Sequence, residues 1–194
     1  FSWKFLKVHF NVLVQEMIFP LLCHSEKDQE LWETDPHEYV KIKYDIFEDM
    51  MSPSATAVSL LSEACVKRKG VLEKTMGFCM HIINSETSDP RMKDGAFHMI
   101  GAVASILLKR KVYKDQMENF LVNYVLPVFS APEGYRRARA CWLTGNLADT
   151  QFKNKDVLRR ATDAARIALC TDAELPVRIE AGSCLMDLLN NQEE

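Results

Sequence analysis

Apolar side chains recur at helical spacing along nearly the whole chain. The first set falls at the intervals of one helix face, at Leu6, Phe10, Leu13, Val14, Met17 and Ile18. Pro20 lacks an amide hydrogen and is expected to kink or end this helix. The same pattern predicts seven further helices, over residues 53–68, 70–84, 90–110, 113–130, 134–151, 154–170 and 175–190. With only 7 Gly and 7 Pro, helices with short connections are favoured over a sandwich or barrel.

Between the first helix and this series lies a polar stretch, residues 25–36, without an apolar period. It is expected to be a loop, followed by a short helix over residues 38–50 with Asp35 as N-cap and Pro36 at its first position. The pairs Ser52-Pro53 and Asp89-Pro90 predict two more helix starts of the same kind.

An internal repeat is suggested by four alanines near the starts of alternate helices. Their separations are 39, 44 and 41 residues, for Ala57, Ala96, Ala140 and Ala181. Three units carry a basic residue three positions before the alanine, and apolar residues follow at the third and seventh positions after it in nearly every unit. This period is typical of HEAT or armadillo arrays. Chance is the alternative, because helical proteins are rich in Ala and Leu.

The predicted fold class is therefore all-α, an α-α superhelix of HEAT/armadillo type with about four stacked helix pairs. One solenoid is expected over residues 1–194. Its parts are a helix (1–24), an acidic loop with a short helix (25–51), and successive repeats over 52–88, 89–131, 132–172 and 173–194, the last one incomplete.

The 194 residues carry a net charge of −3, which gives no general attraction to nucleic acid or anionic membranes. Six cysteines without a C-x-x-C pair favour reduced thiols, as in the cytosol or nucleus. No membrane insertion is expected, because Lys4, Lys7 and Glu16 interrupt the apolar N-terminal segment. The first residue is Phe1, so we interpret the chain as a piece of a longer protein.

No catalytic, phosphate-binding or metal motif is present in the sequence. Gly95 and Gly101 lie inside an apolar helical run and are expected to be close-packing positions. Cys79 and His81 are two residues apart, so on a helix they do not face each other. His98 is expected to be a hydrogen-bonded core histidine. We therefore expect no enzyme activity, no cofactor and no metal.

Carboxylates are concentrated after the first helix. Residues 25–38 have a local balance of −5, and the acidic side chains here and just beyond are Glu26, Asp28, Glu30, Glu33, Asp35, Glu38, Asp45, Glu48 and Asp49. They predict either a landing site for a basic partner or a solvated loop with acids favoured by helix N-termini. Trp32 in their midst is either an exposed anchor or a plug into adjacent helices, and the plug is favoured.

Three basic clusters occur, at residues 67–69, 109–111 and 136–139. The first two are 42 residues apart, and each is expected to close a helix, where the dipole favours cations. The third opens a helix. Its Arg137 fits the repeat position, whereas Arg136 and Arg139 require a partner or an inter-repeat carboxylate. Without interleaved aromatic residues, single-strand nucleic-acid binding is not expected.

Residues 30–40 contain W-x-x-D-P-x-E-Y-V, which resembles the W-x-x-D-P-x-E-Y-I segment of importin-β superfamily receptors, in particular the importin seven and eight subfamily. Similar blocks cover residues 47–53, 74–79, 89–101, 113–118 and 137–142. The similarity extends over roughly residues 15–192, and the stretch 144–152 departs from it.

The resemblance implies the central part of a nuclear import receptor that shuttles between cytoplasm and nucleus. Such HEAT superhelices bind protein cargo, often basic, cross the pore through FG-repeat nucleoporins and release cargo when Ran-GTP binds. Ran-GTP contacts are implied in parts of the parent chain outside this segment. The alternatives are an export receptor of the same superfamily and a HEAT scaffold of a large complex, with a helical enzyme more remote.

Overall fold

The computed structural model describes residues 2–45, 52–150 and 152–190, and every regular element in these ranges is helical. Helix α1 comprises Ser2–Leu13, the π-helical turn Val14–Ile18 and Phe19–Leu22. The next helices are α2 (Glu26–Thr34), α3 (Pro36–Tyr44), α4 (Pro53–Lys67), α5 (Val71–Asn84) and α6 (Pro90–Ala102). The predicted all-α solenoid class is confirmed.

The second half of the chain contains short helical pieces followed by three long helices. In order they are α7 (Ala104–Leu107), α8 (Lys111–Lys114), α9 (Met117–Phe120, then a π turn Leu121–Val125 and a 3-10 turn Leu126–Ser130), α10 (Gly134–Asn146), α11 (Lys155–Thr171) and α12 (Leu175–Asn190). The predicted helix over 90–110 is interrupted at Val103, whose amide bonds to the Ile100 carbonyl three residues back. The predicted helix over 134–151 likewise ends early, at Asn146.

Pro20 alters the first helix in a particular way. Its ring would collide with the carbonyl of Glu16, four residues earlier, in a regular α-helix. The π turn shifts the hydrogen-bond ladder there, so that the Phe19 amide bonds to the Val14 carbonyl five residues back. The helix therefore continues past Pro20 to Leu22 instead of ending.

The expectation of a loop over residues 25–36 is wrong, because α2 fills most of it. Ser25 and Asp28 form a capping box: the Ser25 hydroxyl oxygen accepts from the Asp28 amide, and the Asp28 carboxylate accepts from the Ser25 amide, both at 3.1 Å. The Asp35 cap is confirmed, with its carboxylate accepting from the Glu38 amide at 3.0 Å. The helix that it caps ends at Tyr44, and residues 46–51 lie outside the described ranges.

Three of the four repeat alanines lie at the contacts within a row of packed helices, α6, α10 and α12, which we call the helix ladder. Ala96 in α6, Ala140 in α10 and Ala181 in α12 are fully buried, and α10 packs between α6 and α12. A small residue at this position lets the helix axes approach closely. Helix α6 also packs on α5 and on the last turn of α1, and less on α4, which carries Ala57. The repeat boundaries stay predictions.

Two glycines show how tight the ladder is. A side-chain carbon at Gly95 would overlap Cys23, and one at Gly101 would overlap the Trp142 ring. Both are thus confirmed as close-packing positions. Trp142 is on α10, so Gly101 sets the separation between α6 and α10.

The stretch Trp3–Thr34 is, by length and composition alone, long and apolar enough to cross a membrane. This corrects the expectation that charged residues interrupt any such span, because Lys4 and Lys7 lie at its start and leave a longer apolar window behind them. A core helix of a soluble protein passes the same test. Phe10 and Leu22 on this helix are buried in the main hydrophobic cluster.

Candidate protein-interaction surface

The acidic segment, residues 25–45, lies across the helix ladder and is held there by Trp32. This side chain is only 6% exposed and belongs to a buried cluster with Ala138, Cys141 and Ala181 of α10 and α12. Its indole nitrogen donates a hydrogen bond to Glu174, just before α12. The Tyr39 ring packs edge-on against the indole at 4.9 Å between centroids. The plug interpretation of Trp32 is confirmed.

Beneath the acidic segment, a buried ion pair joins α6 and α10, two neighbouring helices of the ladder. Arg139 of α10 donates to the carboxylate of Asp94 of α6 at 2.9 Å, and its guanidinium lies over the Trp142 ring at 4.9 Å. Asp94 is 1% exposed. Burial raises the pKa of Glu180, on α12, although the charge of Arg139 opposes this shift. Of the two alternatives for Arg139, the inter-repeat carboxylate is the one observed.

Polar contacts within the segment fix α3 against α2 and against α12. Lys43 pairs with Asp28 at 3.2 Å, and the Tyr44 hydroxyl lies 3.4 Å from that of Ser183. Burial alone would raise the pKa of Asp28, but the charge of Lys43 and hydrogen bonds from Ser25 outweigh it and hold this pKa below its usual range. Asp28 is therefore a structural carboxylate, held by its own helix pair.

Two histidines line the junction between α1 and the segment. His24 stacks on the Tyr135 ring at 4.1 Å, and its Nε2 lies 2.9 Å from the side-chain oxygen of Gln29. His98 donates from Nδ1 to the Leu22 carbonyl at 2.9 Å, as a hydrogen-bonded core histidine should. Burial lowers the pKa of both rings, and the nearby guanidinium of Arg139 adds to this effect, so both are neutral at pH 7.

Three carboxylates of α2 share one exposed side of the helix. Glu26, Glu30 and Glu33 are spaced by four and three residues, which puts them on one side of the helix, and all three are exposed. Trp32 points from the opposite part of the helix into the core. The Glu26 carboxylate is 92% exposed and lies 3.8 Å from Arg91, and Glu33 accepts from Gln29 at 2.7 Å. We call this set the glutamate stripe.

The other predicted acidic residues have different surroundings. Asp35 caps α3, and Glu38 is paired with Lys41 at 3.1 Å. Asp45 is partly buried, while Glu48 and Asp49 lie outside the described residues. The stretch that was expected to act as one acidic surface is thus divided by helix phase into structural carboxylates and the outward stripe.

The predicted basic site residues also face inward. Arg136 pairs with Glu133 at 3.1 Å, three residues earlier, and is 19% exposed. The pair with Asp94 accounts for Arg139. The Nε of Arg136 is buried without a hydrogen-bond partner among the described residues, so a partner contact at Arg136 stays a prediction. The repeat-position residue Arg137 binds Asp172 with two bonds, at 2.7 and 3.0 Å, and Glu174 at 2.8 Å.

The carboxylates that receive these contacts are distant in sequence from their partners. Asp94 lies 45 residues before Arg139, and Glu174 lies 142 residues after Trp32. No local spacing could have paired them. In the described ranges no group of three or more His, Cys, Asp or Glu side chains is arranged to hold a metal ion.

A groove lies between α5 and the α8–α9 region. Its volume is about 490 Å³, and its apolar wall is formed by methionine and aromatic side chains, namely Met76, Met80, Met117, Tyr113, Phe120 and Tyr124. Amide side chains line the rim, at Gln116, Asn119 and Asn123. Polarizable, flexible methionines beside aromatic rings suit the binding of an aromatic side chain.

Comparison with known proteins agrees with the resemblance found in the sequence. The chain is 45% identical over 191 residues to importin-8 of Homo sapiens, covering 98% of this chain and 18% of that protein. It is 37% identical over 186 residues to the importin beta-like SAD2 homolog of Arabidopsis thaliana, covering 92% and 18%. The chain belongs to the importin-β family.

More distant members of the importin-β family also match. The probable importin-7 homolog of Dictyostelium discoideum is 28% identical over 192 residues, covering 95% of this chain and 18% of that protein. The chain thus spans about a fifth of the length of the curated relatives it matches. No family model matches the chain, and no solved structure matches it.

Proposed function

We propose that this chain is part of a nuclear import receptor that carries a basic protein cargo through the nuclear pore, shuttling between cytoplasm and nucleus. The glutamate stripe is the landing surface for that cargo. The observation that carries this proposal is the division of α2 into two faces: Trp32 anchors one face in the core, and Glu26, Glu30 and Glu33 project from the other. The role is carriage, without a catalytic step.

Rigidity is what makes the stripe suitable for binding. A carboxylate on an anchored helix loses little backbone freedom when a cation binds, so less of the interaction energy is spent on ordering. Each exposed ion pair contributes only about 0.2–1 kcal/mol. Three together favour lysine- and arginine-rich segments and speed their association, and further contacts in the full-length receptor supply the rest of the affinity.

Release by Ran-GTP fits the way the acidic segment crosses the ladder. Trp32 and Tyr44 bind α10 and α12, whereas Glu26 lies near Arg91 of α6. A change in the angle between these helices would therefore move or strain the segment. If cargo and Ran-GTP favour different superhelical pitches, each lowers the affinity for the other by the same factor. Ran-GTP itself binds through parts of the receptor outside this chain.

The groove between α5 and α9 is the place where this chain would contact FG-repeat nucleoporins. Its methionine and aromatic wall, including Met76, Met80 and Phe120, can enclose a phenylalanine ring. The amides at its rim can bond the peptide backbone that carries the ring. Weak, short-lived contacts of this kind allow the receptor to pass through a meshwork of FG repeats without being trapped.

The experiment uses the full-length receptor and an arginine- and lysine-rich cargo peptide at low salt. Changing the glutamate stripe by Glu26→Gln, Glu30→Gln and Glu33→Gln should weaken binding about tenfold, and the loss should shrink as salt screens the wild-type attraction. The matched control changes three exposed glutamates elsewhere, Glu16→Gln, Glu63→Gln and Glu86→Gln. Equal effects of the two triple variants would contradict a cargo role for the stripe.

Direction of transport is tested separately, with immobilised receptor and cell extract. Cargo held without Ran-GTP and shed with it supports import. Cargo retained only with Ran-GTP would instead indicate an export receptor. Binding that ignores Ran-GTP would indicate a static HEAT scaffold.

A further inference from the structure

Two basic triplets that are 42 residues apart in the sequence meet in the fold. Lys67 is the last residue of α4 and is followed by Arg68 and Lys69, while Lys109 and Arg110 connect α7 to Lys111, the first residue of α8. Arg110 joins them, because its guanidinium donates to the Cys65 carbonyl at 3.5 Å and pairs with Glu73 at 3.1 Å. This contact places the second triplet beside the end of α4, and we call the two triplets together the lysine patch.

The helix dipole does not explain the second triplet. The expectation that residues 109–111 close a helix is only partly met, since α7 is a single turn and Lys111 is the first residue of α8, where a cation is disfavoured. Packing does not require these charges either. Lys69, Lys109 and Lys111 are exposed, and none of them forms an ion pair with another described residue.

The remaining charges of the patch do have structural partners. Lys67 pairs with Glu63, and Arg68 lies over the Trp3 ring at 4.7 Å. Like charges gathered on one part of the surface repel each other and cost stability. An anionic partner would relieve that cost, because the carboxylates of Glu63 and Glu73 are already paired with Lys67 and Arg110.

Exposed apolar side chains lie among the lysines and indicate the chemistry of the partner. Val66 is 61% exposed and Val112 is 70% exposed, each next to a basic triplet. A nucleic acid would use phosphate contacts together with aromatic rings for stacking. Here Trp3 is covered by Arg68, and Tyr113 lines the groove between α5 and α9. Cations interleaved with valines instead suit a protein segment that alternates acidic and apolar residues.

The lysine patch is remote from the glutamate stripe. Helix α6 begins beside Glu26, through Arg91, and the α7–α8 region follows its other end. The 13 residues of α6 give a separation of roughly 20 Å along its axis. The two surfaces carry opposite charge, so they select different partners and can be occupied together.

We propose that the lysine patch, with Val66 and Val112, is a second protein-binding surface that takes an acidic, apolar-containing segment of a partner. This inference does not depend on the cargo role of the glutamate stripe. The partner's carboxylates pair with Lys69, Lys109 and Lys111, and its apolar side chains cover the two valines.

The test uses fluorescence anisotropy. It measures how tightly a labelled peptide of alternating glutamate and leucine residues binds to the full-length protein. The variant Lys69→Gln, Lys109→Gln, Lys111→Gln should weaken binding about tenfold at low salt. Its matched control removes the same charge at exposed lysines outside the patch, by Lys4→Gln, Lys7→Gln and Lys155→Gln, and should change affinity less than about twofold.

A second variant tests the apolar part of the surface. Val66→Ser with Val112→Ser should weaken the same peptide about threefold or more, and should leave a purely acidic peptide without leucines unaffected. Both valines are exposed, so these changes do not disturb the core. The glutamate-stripe variant should bind the acidic peptide as wild type does, which separates this proposal from the cargo proposal.

Three results would overturn the inference. The first is equal affinity of the lysine-patch variant and its control. The second is an RNA oligonucleotide that binds the patch more tightly than the peptide does, because this would indicate a nucleic-acid site. The third is self-association of the protein that is lost equally in the lysine-patch and glutamate-stripe variants, because the occupant would then be a second copy of the chain.

Discussion

The indole nitrogen of Trp32 donates a hydrogen bond to the carboxylate of Glu174, 142 residues later in the chain. Glu174 also accepts from Arg137 at 2.8 Å, so one carboxylate ties the acidic segment to both α10 and the start of α12. A surface segment rich in charge is thereby made part of the folded unit. The outward carboxylates of the glutamate stripe owe their fixed position to this inward contact.

Replacing Trp32 should release the acidic segment. Trp32→Ala removes a large buried side chain, which costs about 3–5 kcal/mol in a core. Much of this loss should appear locally, because the segment can detach while α10 and α12 remain packed on each other. Hydrogen exchange of the α2 and α3 amides in the full-length protein should accelerate about a hundredfold or more.

The conservative variant Trp32→Phe serves as the control for that experiment. It keeps an aromatic ring in the cluster and loses the donor to Glu174, so the cost should be about 1–2 kcal/mol. Exchange should then rise about tenfold in α2. If the alanine and phenylalanine variants exchanged at the same rate, burial of the indole would not be what holds the segment.

The parts of the fold that sequence predicts well are those encoded over a few residues. The N-caps Asp35, Ser52 and Asp89 each accept a hydrogen bond from an amide in the first turn, as their Pro-containing motifs predict. The buried alanines of the ladder likewise follow from a period visible in the sequence. Both signals are local, so they can be recognised without knowledge of tertiary packing.

Helix α2 was missed because tertiary contacts, not periodicity, stabilise it. Trp32 is its only buried residue, so the helix shows no apolar stripe. The signal that was available is the pair Ser25 and Asp28, three residues apart, which forms the capping box. A helix that begins at this capping box has Glu26, Glu30 and Glu33 on one side and Asp28 on another, so the box predicts the glutamate stripe.

Replacing only one partner of the buried Arg139–Asp94 ion pair should destabilise the protein strongly. Arg139→Met leaves Asp94 as an uncompensated charge that is 1% exposed, and this should destabilise the protein by about 3–5 kcal/mol. Thermal unfolding followed by circular dichroism measures the loss. The double variant Arg139→Met with Asp94→Asn should recover part of it, because the stranded charge is gone. Additive losses in the double variant would show that the two residues do not interact.

Gly101 should not tolerate a side chain. In Gly101→Ala the new carbon overlaps the Trp142 ring, so α6 and α10 must separate, at a cost of about 1–3 kcal/mol. Gly77→Ala in α5 is the matched control, since nothing lies within 4 Å of the position its new carbon would take. That variant should gain about 0.5–1 kcal/mol, because alanine favours a helix interior over glycine. Urea unfolding of both variants checks the opposite signs.

Mild acid should loosen the junction between α1 and the acidic segment. The pKa of His98 lies well below 6.5, chiefly because of burial and then because of the Arg139 charge, while the bond to the Leu22 carbonyl opposes the shift. Below pH 6.5, His98 binds a proton more readily in the unfolded chain than in the folded protein, so stability falls as pH falls. The slope from this group is at most about 1.4 kcal/mol per pH unit.

The variant His98→Asn isolates this contribution. Its amide can still donate to the Leu22 carbonyl, but it does not titrate, so unfolding between pH 7.5 and 5.5 should depend less on pH than in the wild type. The lowered pKa of His24 also makes stability fall as pH falls. The raised pKa of Glu180 has the opposite effect on stability, because its carboxyl group binds a proton more readily in the folded protein. Equal slopes for wild type and His98→Asn would place the acid sensitivity elsewhere.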